Sequence, residues 1–286
     1  MRIAVCFSGM PRSFKTVYES HKKFIFDVLS EQGIEYDIFI HTWNNKVKYP
    51  KYLSDEGTVE ELIELYKPTA FKIETYDDKK INELLNDSKV NEYHEYIDHN
   101  NDLNNIGDWI GGGLLTNNTI SLFYGLNESN KLRIESGLKH DIIIKTRFDN
   151  IMFDKLNIAT LSKEENTVYC PMGYEPDDRE RLGTVNDILA VGDEQSMNVY
   201  MSLYDRLFNL LKERYDKKHP RPWHTIGLTK HNLVKNNIQI KRFYLDHIVT
   251  RRLHKYKAVN SVVTGEGWNI VVPKTDKIEI ESKNWI

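Results

Sequence analysis

Short unbroken apolar runs alternate with segments of helical period through the first half of the chain. "IAVCF" (3–7) reads as a first strand, and Phe14 to Ser30 carries the period of a first helix. "YDIFIHTW" (36–43) is a second strand, "TVEELIELYK" (58–67) a helix stopped by Pro68, and "AFKIETY" (70–76) a third strand. This βαβαβ order predicts an α/β fold with a mostly parallel central sheet flanked by helices.

From Asp98 to Asn118 the pattern fails. "DHNNDLNNIGDWIGGGLLTNN" is rich in Asn and Gly and has no sustained period, which predicts a long loop. It reads either as a surface insertion or as a lid in which Trp109 covers a ligand. A helix resumes over "TISLFYGLNESNKLRIESGL" (119–138), with Asn118 or Thr119 as its cap. It leads to "HDIIIKTRFDNIMF" (140–153), whose apolar run suits a strand buried on both faces and empties into Thr146, Arg147, Phe148, Asp149 and Asn150. In an open parallel sheet ligands gather outside the carboxyl ends of strands, so chemistry is expected there.

The second half is less regular. "NTVYCPM" (166–172), "VNDILAVG" (185–192) and "IQIKRFYL" (238–245) read as strands, residues 193–215 as one long helix, and "PWHTIGLTKHNLVKNN" (222–237) as another that opens on proline. With no repeat and no clean linker, the 286 residues are taken as a single 1–286 domain. Its two parts are a nucleotide-binding half (1–150) and an acceptor-binding half (151–286).

Charge narrows the partners. Lys and Arg total 39 against 42 Asp and Glu, a net charge of -3, which gives no general attraction to nucleic acid or an anionic membrane. No apolar run is long enough to span a bilayer, and the first one ends at Phe7, so the expectation is a soluble, cytoplasmic protein. Cys6 and Cys170, each inside an apolar run, read as buried thiols.

The loop after the first strand, "SGMPRSF" (8–14), is placed to meet a phosphate. It lacks the glycines and the Gly-Lys-Ser/Thr ending of a P-loop and the further glycines of a dinucleotide fold. It resembles the "PRSGT" loop of sulfotransferases, although Phe14 stands where that loop needs a glycine. Ser8, Gly9 and Arg12 are the residues that would approach a nucleotide diphosphate, Arg12 with a planar, permanently charged donor.

Together "SGMPRSF", "YDIFIHTWN", "ISLFYGLNESNKL" followed by "HDIIIKTRFDNIMF", and "NDILAVGDEQSMNVYMSLYD" make the chain resemble glycosyltransferases of the GT-A fold. Within these it is similar to the group of lipopolysaccharide and capsule biosynthesis proteins also found in large DNA viruses. The resemblance implies transfer of a sugar from a nucleotide-sugar donor to a hydroxyl of a glycan or glycolipid, assisted by Mn2+ or Mg2+. Such enzymes hold the metal with an Asp-x-Asp triplet at a strand end. Here the matching triplet is Arg147-Phe148-Asp149, so Asp149 carries over as a metal ligand and Arg147 departs from the pattern. Two readings of Arg147 stay open: it neutralises phosphate charge itself, or it pairs with Asp149 and positions it.

The family often adds a histidine ligand from the C-terminal half. His224 and His231, seven apart and so on one helix face, rank ahead of His247 and His254, which repeat the spacing. A base is needed where the acceptor hydroxyl attacks with inversion. Asp187, at the start of an apolar strand, is preferred over Asp193 and Glu194, which read as ordinary first-turn helix acids. The charged loop before that strand, Tyr174 to Asp187, reads first as a solvated connection and second as a place where an acceptor sugar rests against Tyr174. A metal-free sulfotransferase and a non-catalytic carbohydrate-binding protein are the alternatives.

Overall fold

The computed structural model describes residues 1–11, 13–44, 57–89, 112–161, 164–171, 185, 187–217, 225–243, 245, 247–249, 257–259, 262–265 and 268–271. Arg12, Trp109, Tyr174, His224 and His254 lie outside them, as does all of the Asn-rich stretch before Gly112.

The apolar runs of the first half become strands β1 (Arg2–Gly9), β2 (Glu35–Asn44), β3 (Ala70–Thr75) and β4 (Ile142–Thr146). Later strands are the short β5 (Asn150–Met152), then β6 (Thr167–Pro171), β7 (Ala190–Gly192), β8 (Gln239–Phe243) and β9 (His247–Val249). Seven of them form one sheet in the order β3-β2-β1-β4-β7-β6-β8. All neighbours are parallel except around β7, which runs antiparallel to both β4 and β6. A separate pair joins β5 to β9, and β10 to β12 (Lys257–Val259, Val262–Gly265, Trp268–Val271) form a small antiparallel sheet.

Strand alternation sorts the apolar side chains onto the two faces of the main sheet. Ile3, Val5 and Phe7 of β1 join Ile38, Ile40, Ile142 and Ile144 on one face; Ala4, Cys6, Phe39 and Ile143 point to the other. The first face is covered by α1 (Phe14–His21), α2 (Asp27–Glu31) and α3 (Val59–Tyr66). The second is covered by α4 (Asp78–Asp87), α5 (Gly112–Glu135), α7 (Glu194–Met201), α8 (Leu207–Asp216) and α9 (Thr225–Lys235). The one-turn α6 (Ile158–Leu161) closes the first face beside Leu156. Both thiols are buried and unbridged, as their apolar settings predict.

Four elements differ from the sequence expectation. The first helix widens into a π segment over Lys22–Phe26, where Phe24, Ile25 and Phe26 are consecutive and all buried. The chain is already helical at Gly112, seven residues before Thr119. Packing of Ile120, Phe123 and Leu126 further along α5 outweighs the weak propensity of its Gly- and Asn-rich start. The long helix from Asp193 breaks after Met201 into a 3-10 turn, Leu203–Arg206. Tertiary bonds fix that turn: Tyr204 donates to the Leu84 carbonyl at 3.1 Å, and Asn127 donates to Asp205 at 2.7 Å. The strand expected over Val185–Gly192 is only three residues long, because the Asp187 carbonyl is taken by a lysine side chain instead of a ladder partner.

Among the described residues no helix is long and apolar enough to cross a membrane.

Candidate active site

The chain leaves β1 toward β2 and β3 on one side, then returns to place β4 on the other. Sheet order therefore reverses between β1 and β4, and the crevice outside their carboxyl ends is where this architecture binds ligands. Ser8 and Gly9 end β1 in that position, while Thr146 ends β4 and leads directly into Arg147-Phe148-Asp149. Gly9 has φ +117°, a region closed to side-chain-bearing residues, and its carbonyl accepts the Thr42 hydroxyl at 3.0 Å. Ser13, at the far end of the loop, is also left-handed at φ 55°.

Arg147 and Asp149 meet in a two-pronged ion pair, Nε to Oδ1 and Nη2 to Oδ2, each 2.8 Å. Between them Phe148 turns inward and stacks on Phe7 with ring centres 5.2 Å apart, also meeting the Tyr66 ring edge-on. One residue thus anchors the turn in the core while its neighbours present charge.

Asp187 reaches the same place from the other half of the chain, through the antiparallel strand. β7 pairs Ala190 with Lys145, so residues just ahead of β7 arrive where β4 ends. The Asp187 carboxylate lies 3.8 Å from Arg147 Nη1 and stays partly exposed. Beneath it the Lys145 ammonium, fully buried, donates to the Asp187 carbonyl. Burial lowers the Lys145 pKa to about 8, against the attraction of Asp187. Sequence patterning missed Lys145; its signal was a charged residue closing an otherwise apolar buried run.

Behind the turn His21 is completely buried between two partners. Nδ1 accepts the Tyr66 hydroxyl and Nε2 donates to the Asn150 carbonyl, both at 2.9 Å, which fixes a neutral tautomer. Burial lowers its pKa to about 4, with the Asn150 carbonyl and the Asp149 charge acting against the shift. Between pH 6.5 and 4 the unfolded chain then binds a proton that the folded one does not, so stability falls as pH falls through that window. The loss amounts to about 3 kcal/mol at one pKa unit per 1.36 kcal/mol. His21→Gln, which keeps a donor and an acceptor but does not titrate, is expected to remove that part of the acid sensitivity; denaturant unfolding at pH 7, 5.5 and 4 checks it.

At the ends of β2 and β3 lies a second polar group. His41 is buried with Nε2 2.9 Å from Glu74, and Glu74 also meets Lys80 at 2.9 Å and the Tyr124 hydroxyl at 2.9 Å. Burial pushes the Glu74 pKa up, but the hydrogen bonds from His41, Lys80 and Tyr124 outweigh it and hold the carboxyl well below its usual range. Among the described residues His41 Nδ1 has no hydrogen-bond partner, and it lies against Gly125 of α5, where an added Cβ would stand 3.1 Å from it.

The sequence-derived residues separate as follows. Arg147, Asp149 and Asp187 converge, and Ser8 and Gly9 end the neighbouring strand. His231 sits on α9 with Nε2 3.0 Å from Glu213. His247 is buried on β9, its Nδ1 2.9 Å from the Leu245 carbonyl. Asp193 caps α7 by accepting the Ser196 amide at 2.7 Å, and Glu194 pairs with Arg133 at 2.9 Å, the structural roles expected of first-turn acids.

Among the described residues the donors do not fit a divalent cation; His224, one of the ligands expected, lies outside them. Both Asp149 oxygens are engaged by a guanidinium, and among the described residues no group of three or more His, Cys, Asp or Glu is placed to hold a metal.

No family model matches the chain, and no curated protein matches it. Among solved structures it is similar to mouse xyloside xylosyltransferase 1 in its apo form, with a TM-score of 0.37 and 12% identity over 85% of this chain and 84% of that one.

Proposed function

We propose that the protein is a glycosyltransferase of GT-A type that moves a sugar from a nucleotide-sugar to a hydroxyl of a glycan or glycolipid. The observation that supports this is the convergence of Arg147, Asp149 and Asp187 outside β4, at the reversal of sheet order. The sequence likeness around "TRFDN" points the same way. Transfer breaks the bond between the anomeric carbon and the diphosphate and forms one to the acceptor oxygen. The departing diphosphate gathers negative charge, and Arg147 is the cation beside it, with Ser8 and Gly9 on the nucleotide side. Asp187 receives the proton that the acceptor hydroxyl loses.

The sulfotransferase alternative loses ground at Phe14. That side chain is fully buried against the first core face, and its ring would lie 2.5 Å from a Cβ added at Gly57. The place where a sulfate-donor loop needs a glycine is filled by core.

The test is a thermal-shift panel of uridine, guanosine, cytidine and adenosine diphosphates and adenosine 3′,5′-bisphosphate. One nucleoside diphosphate is expected to stabilise the fold, by about 2.7 kcal/mol at a hundred times its Kd. Stabilisation by the bisphosphate alone contradicts the proposal.

A further inference from the structure

We propose that the site holds its donor's diphosphate without a divalent cation, the Arg147 guanidinium taking the charge that a metal would otherwise neutralise. The inference rests on the nucleotide-sugar reading and names how that site binds its substrate.

Three observations support it. The first is the Arg147 and Asp149 pairing itself. A dication on Asp149 has to draw on a carboxylate held at both oxygens at 2.8 Å, and it has to sit within a few ångströms of a group that never loses its positive charge. The usual attraction of a carboxylate for a metal is offset by that repulsion.

The second is the charge already assembled. Lys145, fully buried, stands under Asp187, and Arg147 stands between Asp187 and Asp149. Among the described residues two cations face two carboxylates, so this group is formally neutral before any ligand arrives. In a site that waits for a metal, carboxylates gather without built-in cations and the ion supplies the missing charge. Here the chain supplies it.

The third is the placement of other ligand types among the described residues. His231 is turned to Glu213 on the neighbouring helix. His21, the histidine behind Asp149, spends both nitrogens on Tyr66 and Asn150.

A guanidinium also suits the task geometrically. Its planar fork binds phosphate oxygens in pairs, and Asp149 fixes the plane of that fork relative to β4. Asp149 then acts as a positioning residue for Arg147 and not as a ligand.

The full chain is titrated with uridine, guanosine, cytidine and adenosine diphosphates by calorimetry, first with EDTA and then with excess Mn2+. The nucleotide that binds is expected to do so with a Kd that agrees within about threefold in the two buffers, well under the tenfold that 1.4 kcal/mol represents. Binding that appears only with Mn2+, or tightens by about tenfold or more, overturns the inference and leaves the nucleotide-sugar reading standing. Absence of binding in both buffers overturns that reading and this inference with it.

Discussion

Arg147→Met is expected to fold less stably than the native chain and to lose nucleotide binding. Asp149 is 5% exposed at its side chain, and the two-pronged bond that Arg147 makes to it is removed. Removing one partner of a buried ion pair costs about 3–5 kcal/mol. Arg147→Lys separates the two effects. It returns a positive charge to Asp149 and so recovers part of the stability, but a lysine ammonium has no fork with which to hold a carboxylate and a phosphate together. Turnover in either variant is expected to drop by about 10²–10³, the usual cost of removing one group aimed at developing charge. Denaturant unfolding gives the stability, and nucleotide release from the donor gives the turnover.

Asp187→Asn is expected to behave oppositely, keeping its fold and its donor affinity while losing turnover by about 10²–10⁴, the range that general-base catalysis contributes. The backbone at this position is held by Lys145 through the carbonyl, which Asn leaves in place. The carboxylate itself is 3.8 Å from Arg147 and 27% exposed, so its loss removes only a weak pairing. A fall in donor affinity equal to the fall in turnover would place Asp187 on the diphosphate and not on the acceptor.

The first four strands were legible because each is an apolar run bounded by a clear break, and a strand buried on both faces leaves that mark in any sequence. "TRFDN" was legible as a charged turn at a strand end because charge follows such a run. Asp187 was legible as a carboxylate without local cause, yet what delivers it, the antiparallel course of β7, depends on pairing between residues far apart in the chain. His21 sits inside a helical pattern where a histidine is unremarkable. Its importance comes from Tyr66 and Asn150, 45 and 129 residues away. Lys145 shows the same limit: a lysine closing a strand usually reaches water, and here it is buried and bonded to a carbonyl 42 residues away. The break at Ser202 and the early start of α5 failed for a related reason, since tertiary contacts there override local propensity.

The most direct measurement is a titration of the nucleoside diphosphate that stabilises the native chain into the native protein and into Arg147→Lys, at one pH and ionic strength. The account predicts saturable binding to the first and binding weaker by tenfold or more, about 1.4 kcal/mol, to the second. Equal affinity in the two, with the variant folded, would contradict it, because the diphosphate would then lie away from the charged turn that ends β4.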